Sequence, residues 1–291
     1  MPELPEVETV VRGLRGLLPG RRIISVRLGK TDFMDDPAAL ERDLPGQRIE
    51  AVQRYGKFVL LRLASATNDQ PENPGGSHSY SLLVHLGMTG HLSPRPAAEP
   101  PPLHTHACFA LDDGQELRYT DARRFGRMAL LQEDALEGVL GKLGLDPLEA
   151  TAAEFHGLLA GRRAMIKALL LDQRVLRGLG NIYADESLWR ARIHPARHAA
   201  RLTPQQVSLL YRSVRRVLSD AIRLRGSSIA DFLDANGVPG EYQLRHRAYG
   251  REGKRCFRCG TKIRRVLVAG RSSHFCPRCQ PAPRRSPRKA L

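Results

Sequence analysis

Two Cys-x-x-Cys pairs near the C-terminus, Cys256/Cys259 and Cys276/Cys279, constrain the fold more tightly than any other feature of this chain. Sixteen residues separate the pairs, a spacing suited to a four-thiolate zinc site. Two such knuckles place four sulfurs about 2.3 Å from a tetrahedral Zn2+. With all four positions filled by protein the site is closed, so one structural zinc is expected rather than a water-activating one. Between the knuckles, Thr261–Val268 and Arg271–Phe275 flank Ala269-Gly270 and read as a β-hairpin. Arg258, Lys262, Arg264, Arg265 and Arg271 make this hairpin basic and suited to phosphate, with Arg271 beside the turn. Clustered cysteines in a reducing compartment favour metal over disulfides. The fifth, Cys108, lies in a β-like run and is expected to be a small buried apolar residue.

Charge points the same way as the hairpin. The chain has 291 residues, and 46 Lys+Arg against 30 Asp+Glu give a net charge of +16. Such an excess attracts polyanions, which makes nucleic acid the leading partner. The length admits two domains, each with its own core. No apolar run approaches the ~20 residues that a membrane span requires, and Met-Pro-Glu-Leu-Pro-Glu lacks the charged-then-apolar pattern of a signal peptide. A cytoplasmic location follows as an expectation. No redox cofactor or nucleotide site is visible, and single-chain action is expected.

The hydrophobic period changes twice along the chain. Pro5, with Glu6 and Glu8, suits a first helical turn, Pro19-Gly20 suits a stop, and Val7, Val10, Val11, Leu14, Leu17 and Leu18 form a core-facing stripe. From Arg22 to about Leu131 short β-like runs follow, among them Arg22–Leu28, Phe58–Leu63, Tyr80–Leu86, Ala107–Leu111 and Glu116–Tyr119, with Asp113-Gly114 as a hairpin turn. Ser65–Ser79 and Ser93–Pro102, rich in Pro, Gly and polar residues, read as exposed loops. Beyond Leu148 the pattern is helical. Thr203-Pro204-Gln205-Gln206 is a capping box, followed by an apolar face from Val207 to Ile222 that ends before Gly226. The expected layout is α+β with two domains: a β-rich unit over 2–131, a linker over 132–147, a helical unit over 148–244, a metal hairpin over 245–280, and a disordered basic tail over 281–291.

The N-terminus carries chemistry of its own. Removal of Met1 exposes Pro2 as a secondary α-amine. Such an amine titrates near 7.7–8.0 and lysine near 10.4, so its neutral, nucleophilic fraction at pH 7 is roughly two to three hundred times larger. Glu3 and Glu6 follow at helix-face spacing, close enough to act on the same point. Read alone, these carboxylates simply stabilise a helix start.

Met1-Pro2-Glu3-Leu4-Pro5-Glu6-Val7-Glu8-Thr9 resembles the opening of the formamidopyrimidine-DNA glycosylase family. Further motifs follow in family order: Tyr55-Gly56-Lys57-Phe58, His85-Leu86-Gly87-Met88-Thr89-Gly90, Tyr119-Thr120-Asp121-Ala122-Arg123-Arg124-Phe125-Gly126, Gly178-Leu179-Gly180-Asn181-Ile182-Tyr183-Ala184, and the four-cysteine hairpin. The resemblance implies an N-terminal β-sandwich with an opening helix, then a helical domain with a helix–two-turns–helix motif. It implies a bifunctional glycosylase and abasic-site lyase that removes oxidised purines from damaged double-stranded DNA. In that scheme the Pro2 nitrogen attacks the sugar C1′, Glu3 relays protons, and Glu6 orients the N-terminus. Lys57 and Arg271 would serve the two eliminations, although a cation near phosphate can equally act as a clamp. The target nucleotide must be extruded; Met88, Arg123 and Phe125 match the family's gap-filling trio. Asn181 would cap the following helix and meet a phosphate. His85 and Arg124, within the matching strings, are expected to bind DNA with them, and His104, Arg162, Arg163 and Lys167 align with DNA-contact positions. The segment Ala235–Tyr249 resembles the loop that closes over the extruded base.

Departures are few. Ser65–Ser79 is longer than the family pattern, and the arginine-rich tail is extra. A sister family, endonuclease VIII, takes oxidised pyrimidines with the same proline chemistry, but Leu4 and the intact Arg123-Arg124-Phe125 string favour the purine enzyme. A non-catalytic zinc-ribbon protein that binds nucleic acid would explain the charge and the cysteines, but not the Pro-Glu terminus or Lys57.

Overall fold

The computed structural model describes residues 2–64, 80–229 and 232–283. The expected loop Ser65–Ser79 and the tail beyond residue 283 lie outside these described residues. The chain divides into two compact units, Met1–Lys142 with Ala221–Gln243, and Leu143–Asp220 with Leu244–Leu291.

In the first unit, α1 (Leu4–Arg15) buries Val7, Val10, Val11 and Leu14. The helix closes at Gly16 rather than running on to Pro19-Gly20. That early stop turns Leu17 outward, leaving it 49 % exposed, whereas Leu18 stays in the core. The expected stripe therefore holds except at Leu17. Eight antiparallel strands follow: β1 (Ile23–Leu28), β2 (Arg48–Tyr55), β3 (Phe58–Ala64), β4 (Tyr80–His85), β5 (Gly90–Pro96), β6 (Thr105–Leu111), β7 (Gln115–Asp121) and β8 (Arg127–Gln132). They form two four-stranded sheets, ordered β1-β6-β7-β5 and β2-β3-β4-β8. Register is set by apolar pairs such as Phe109 with Leu117 and Val84 with Met128. Val59, Leu61, Leu82 and Val84 of one sheet share a single core with Phe109, Leu117 and Tyr119 of the other, closed by α1.

Ser93–Pro102 departs from the expected loop. Ser93–Pro96 is the second half of β5, paired with Gln115–Arg118 of β7. Two prolines are tolerated because β5 is an edge strand, where a missing N–H breaks no ladder bond on its outer side. A short α2 (Pro37–Asp43) is N-capped by Asp36, whose side chain accepts from Ala39 N at 3.0 Å. Within 132–147 the chain forms α3 (Glu133–Leu140), which inserts Leu136 between Leu60 and Leu83.

The second unit contains α4 (Ala152–Leu159), α5 (Ile166–Leu171), α6 (Asn181–Ala191), most of α7 (Pro204–Arg223), and the ribbon of β9 (Arg264–Val268) and β10 (Arg271–Phe275). The capping box of α7 is present: Thr203 N donates to Gln206 Oε1 at 3.1 Å and Gln206 N to Thr203 Oγ1 at 3.2 Å. Its apolar face, including Leu210, Val214 and Leu218, is buried as the periodicity requires. No helix among the described residues is long and apolar enough to cross a membrane.

Candidate active site and nucleic-acid interface

The start of the chain is organised by a pair of buried carboxylates. Glu3 and Glu6 are 3 % and 2 % exposed. Glu3 is the N-cap of α1, and its backbone N donates to Glu6 Oε2 at 2.8 Å. The other oxygen of Glu6 accepts from Ser227 N at 2.7 Å, a residue 221 positions away. Gly226 makes that approach possible. Its φ of +79° lies where L side chains are strained, and a Cβ there would sit 2.6 Å from Glu6 Oε1. Glu6 is therefore committed to backbone amides on both sides and holds the α1 N-terminus in place. Pro2, immediately before the cap, is buried. The sequence contained no signal for Gly226-Ser227, since nothing local links the end of α7 to the first residues.

Lys57 lies in the two-residue turn between β2 and β3, after Gly56 with φ +60°. It is 8 % exposed, unusual for lysine. Across the sheet, His85 packs edge-on to Phe58 with ring centroids 5.1 Å apart, and its Nδ1 accepts from Gly87 N at 3.1 Å. Burial, reinforced by the charges of Lys57 and Arg127, holds the His85 pKa down to about 4. The ring is neutral at pH 7.

Met88 and Phe125 are 42 % and 56 % exposed, so neither is the core residue its type would ordinarily be. Arg123 stacks on Phe125, its guanidinium carbon 4.5 Å from the ring centroid. Arg124 turns elsewhere: Nη1 donates to both oxygens of Asp32 at 2.7 and 2.8 Å. His104 is exposed and adopts φ +66°.

In the second unit, Arg162 and Arg163 are exposed between α4 and α5. Lys167 corrects the sequence reading. Its side chain is wholly buried, donating from Nζ to Asp185 Oδ1 at 2.6 Å and to the Ser272 carbonyl at 2.8 Å. A buried lysine with those partners does not present itself to a phosphate. It pins β10, directly beside Arg271, to α6. Asp185 completes the tie by accepting from His274 N at 2.8 Å. One residue on, Glu186 accepts from the backbone amides of Arg247, Ala248 and Tyr249 at 2.8–3.0 Å. Two consecutive acids followed by Ser-Leu-Trp in a mostly buried helix were the signal for this anchoring, and sequence reasoning passed over them. Asn181 is a second correction. Gly180 is the N-cap of α6 and Asn181 the first helical residue. Its buried Oδ1 has no hydrogen-bond partner among the described residues.

The hairpin forms as expected, β10 with its expected limits and β9 beginning at Arg264 rather than Thr261. β9 and β10 pair from Arg264–Phe275 to Val268–Arg271, so exposed Arg271 stands at the first position after the Ala269-Gly270 turn. The four cysteine sulfurs lie within 4.8 Å of one another. Cys259 Sγ is 3.4 Å from Cys276 Sγ and 3.5 Å from Cys279 Sγ, too long for disulfides and near the edge of about 3.8 Å that a 2.3 Å tetrahedral zinc–thiolate site requires. The donor set fits Zn2+. Cys108, 5 % exposed, is a core residue as expected.

A two-sheet sandwich, a helical unit and a basic zinc ribbon define a two-domain, zinc-finger protein built for nucleic acid. Models of the formamidopyrimidine-DNA glycosylase N-terminal domain, its H2TH (helix–two-turns–helix) domain, and a zinc finger found in FPG and IleRS match residues 1–128, 143–232 and 253–282. A formamidopyrimidine-DNA glycosylase of Pelotomaculum thermopropionicum is 45 % identical over 286 residues, covering 96 % of this chain and 99 % of the relative. The wild-type Lactococcus lactis Fpg bound to N7-benzyl-Fapy-dG DNA superposes with a TM-score of 0.85 at 35 % identity, covering 97 % and 100 %. The same organism's Fpg with abasic-site DNA gives 0.84 at 34 % identity, covering 96 % and 100 %. This chain belongs to the formamidopyrimidine-DNA glycosylase family.

Proposed function

We infer that this chain is a base-excision-repair enzyme that removes oxidised purines from duplex DNA and then cleaves the strand as an abasic-site lyase. The match to the family over both units and the zinc finger supports the class of activity. One observation carries the chemistry: Pro2 is buried directly before a cap held by Glu3 and doubly anchored Glu6.

With Met1 removed, the neutral Pro2 nitrogen attacks C1′, the bond to the base breaks, and the base leaves with the electron pair and a proton. Ring opening gives an iminium between Pro2 and C1′. Glu3, the buried carboxylate next to Pro2 in sequence, is the group suited to moving the proton. The iminium acidifies C2′, so loss of a C2′ proton expels the 3′ phosphate. A second elimination expels the 5′ phosphate, and water hydrolyses the imine to restore the free amine. Lys57 and Arg271 serve these phosphates as proton donors or electrostatic clamps. Met88, Arg123 and Phe125 fill the gap left by the extruded nucleotide, with His104, Arg162 and Arg163 on the backbone and Asn181 offering its amide to a phosphate. His85 supports the turn that carries Met88. Arg124, whose Nη1 is paired with Asp32, contacts DNA beside Arg123 and Phe125. The enzyme acts as a monomer, in the cytoplasm, with zinc holding the ribbon and no nucleotide cofactor. Borohydride reduction during turnover of an 8-oxoguanine duplex is expected to yield a covalent adduct on Pro2, located by peptide mass spectrometry. Turnover without an adduct, or an adduct on a lysine, rejects the nucleophile assignment.

A further inference from the structure

Met88 and the Arg123–Phe125 segment begin 35 positions apart and belong to different β-connections, yet one buried carboxylate joins them. Asp121 is 0 % exposed. Its Oδ1 accepts from Thr89 Oγ1 at 2.5 Å and from Arg123 N at 3.2 Å. Its Oδ2 accepts from Tyr119 Oη at 3.1 Å and from Gly126 N at 2.9 Å. Thr89 Oγ1 in turn accepts from Arg123 N at 3.2 Å. Three donors from the two loops and a fourth, Tyr119, from β7 thus converge on one side chain; of the loop residues, Thr89 flanks Met88, while Arg123 and Gly126 bracket Arg124-Phe125.

The two loops also touch backbone to backbone. A Cβ at Gly87, itself at φ +63°, would lie 2.4 Å from the Phe125 carbonyl carbon. At Gly90 it would meet the Leu86 carbonyl oxygen at 2.3 Å and Tyr119 Oη at 2.6 Å. At Gly126 it would meet Tyr119 Oη at 1.8 Å. Gly87 therefore permits the approach of the two loops that Asp121 fastens, while Gly90 and Gly126 leave room for the Tyr119 hydroxyl that binds the same carboxylate. A charged acceptor bound by four donors in a dry site resists rearrangement more than neutral loop hydrogen bonds do.

We propose that Asp121 and Thr89 are positioning residues that fuse the Met88 loop and the Arg123–Phe125 loop into one preassembled wedge. Insertion into DNA is then a single event, with its ordering entropy already met in the free protein. The inference rests on the gap-filling reading of Met88, Arg123 and Phe125 given above, and adds how they act together. Neither Asp121 nor Thr89 need touch DNA.

The test uses the full-length zinc-loaded enzyme. Thr89→Val keeps the side-chain shape and removes only the hydroxyl; Asp121→Asn removes the charge. Single-turnover excision of 8-oxoguanine is followed beside stopped-flow fluorescence of a 2-aminopurine next to the lesion, which reports extrusion. Both variants are expected to slow extrusion and excision about tenfold, the scale of one buried hydrogen bond to a charged group. Strand cleavage at a preformed abasic site, where no base must be unstacked, stays within about threefold. Wild-type excision by Thr89→Val, or equal slowing on both substrates, overturns the wedge. The triple variant Met88→Ala/Arg123→Ala/Phe125→Ala separates the underlying reading. If it extrudes normally, gap filling by these residues is wrong. If it is slow while Thr89→Val is not, only the lock between the loops is wrong. Should Asp121→Asn unfold at a lower temperature, Thr89→Val alone decides.

Discussion

Two histidines illustrate how burial sets charge at the residue scale. His85 and His246 are both held down to about 4, His246 by burial alone and His85 by burial with help from Lys57 and Arg127. An unfolded histidine takes up its proton near 6.5. Between about pH 6.5 and 4 the unfolded chain therefore binds protons that the folded one refuses, and stability falls as pH falls through that window. Glu186 works in the opposite sense. Desolvation raises it to about 6 against the pull of its backbone donors, so its contribution grows as pH falls from about 6. His246→Gln is expected to flatten the decline of the urea midpoint between pH 7 and 5 relative to the parent protein; parallel profiles would show that His246 titrates normally. Lys167 teaches the reverse lesson about charge. The family resemblance aligned it with a DNA-contact position, but its Nζ is fixed by Asp185 and the Ser272 carbonyl. Whether a cation faces solvent or core is decided by what packs around it.

At the scale of elements, the zinc ribbon depends on its metal. β9 is mostly exposed, Arg264 through Leu267 facing solvent, so two five-residue strands have little apolar burial to hold them. The knuckles supply the missing constraint, through a small core of Trp189, Ala248, Cys256, Ile263 and Cys276. Chelation of zinc, or Cys256→Ala, is expected to abolish duplex binding by more than about tenfold while the β-sandwich keeps its circular-dichroism signal. Unchanged affinity in a metal-free protein refutes this. The β-hairpin and α7 were legible because turn chemistry and a capping box are local. β5 was not, since its prolines resemble a loop until the edge position that excuses them is known.

Across the whole molecule, the net charge of +16 makes electrostatics the main source of non-specific affinity. Log affinity for undamaged duplex should fall with log salt at a slope of about −5 or steeper, and Arg162→Ala or Arg163→Ala should each reduce the slope by about one. A slope near zero removes the backbone-contact reading. The order of parts was written in the chain: a reactive Pro-Glu terminus, a period-two stretch, a period-3.6 stretch, and cysteine pairs whose spacing alone defines a metal site. Each is a pattern over a few neighbouring residues, and short-range sterics and ligand geometry give it one meaning. The anchoring of Glu6 by Ser227, the burial of Lys167 against the ribbon, and the junction of Thr89 with Asp121 had no such local sign. They join residues from about 30 to over 200 positions apart, and only burial, which makes an unpaired polar group costly, selects those pairings from the many the chain allows.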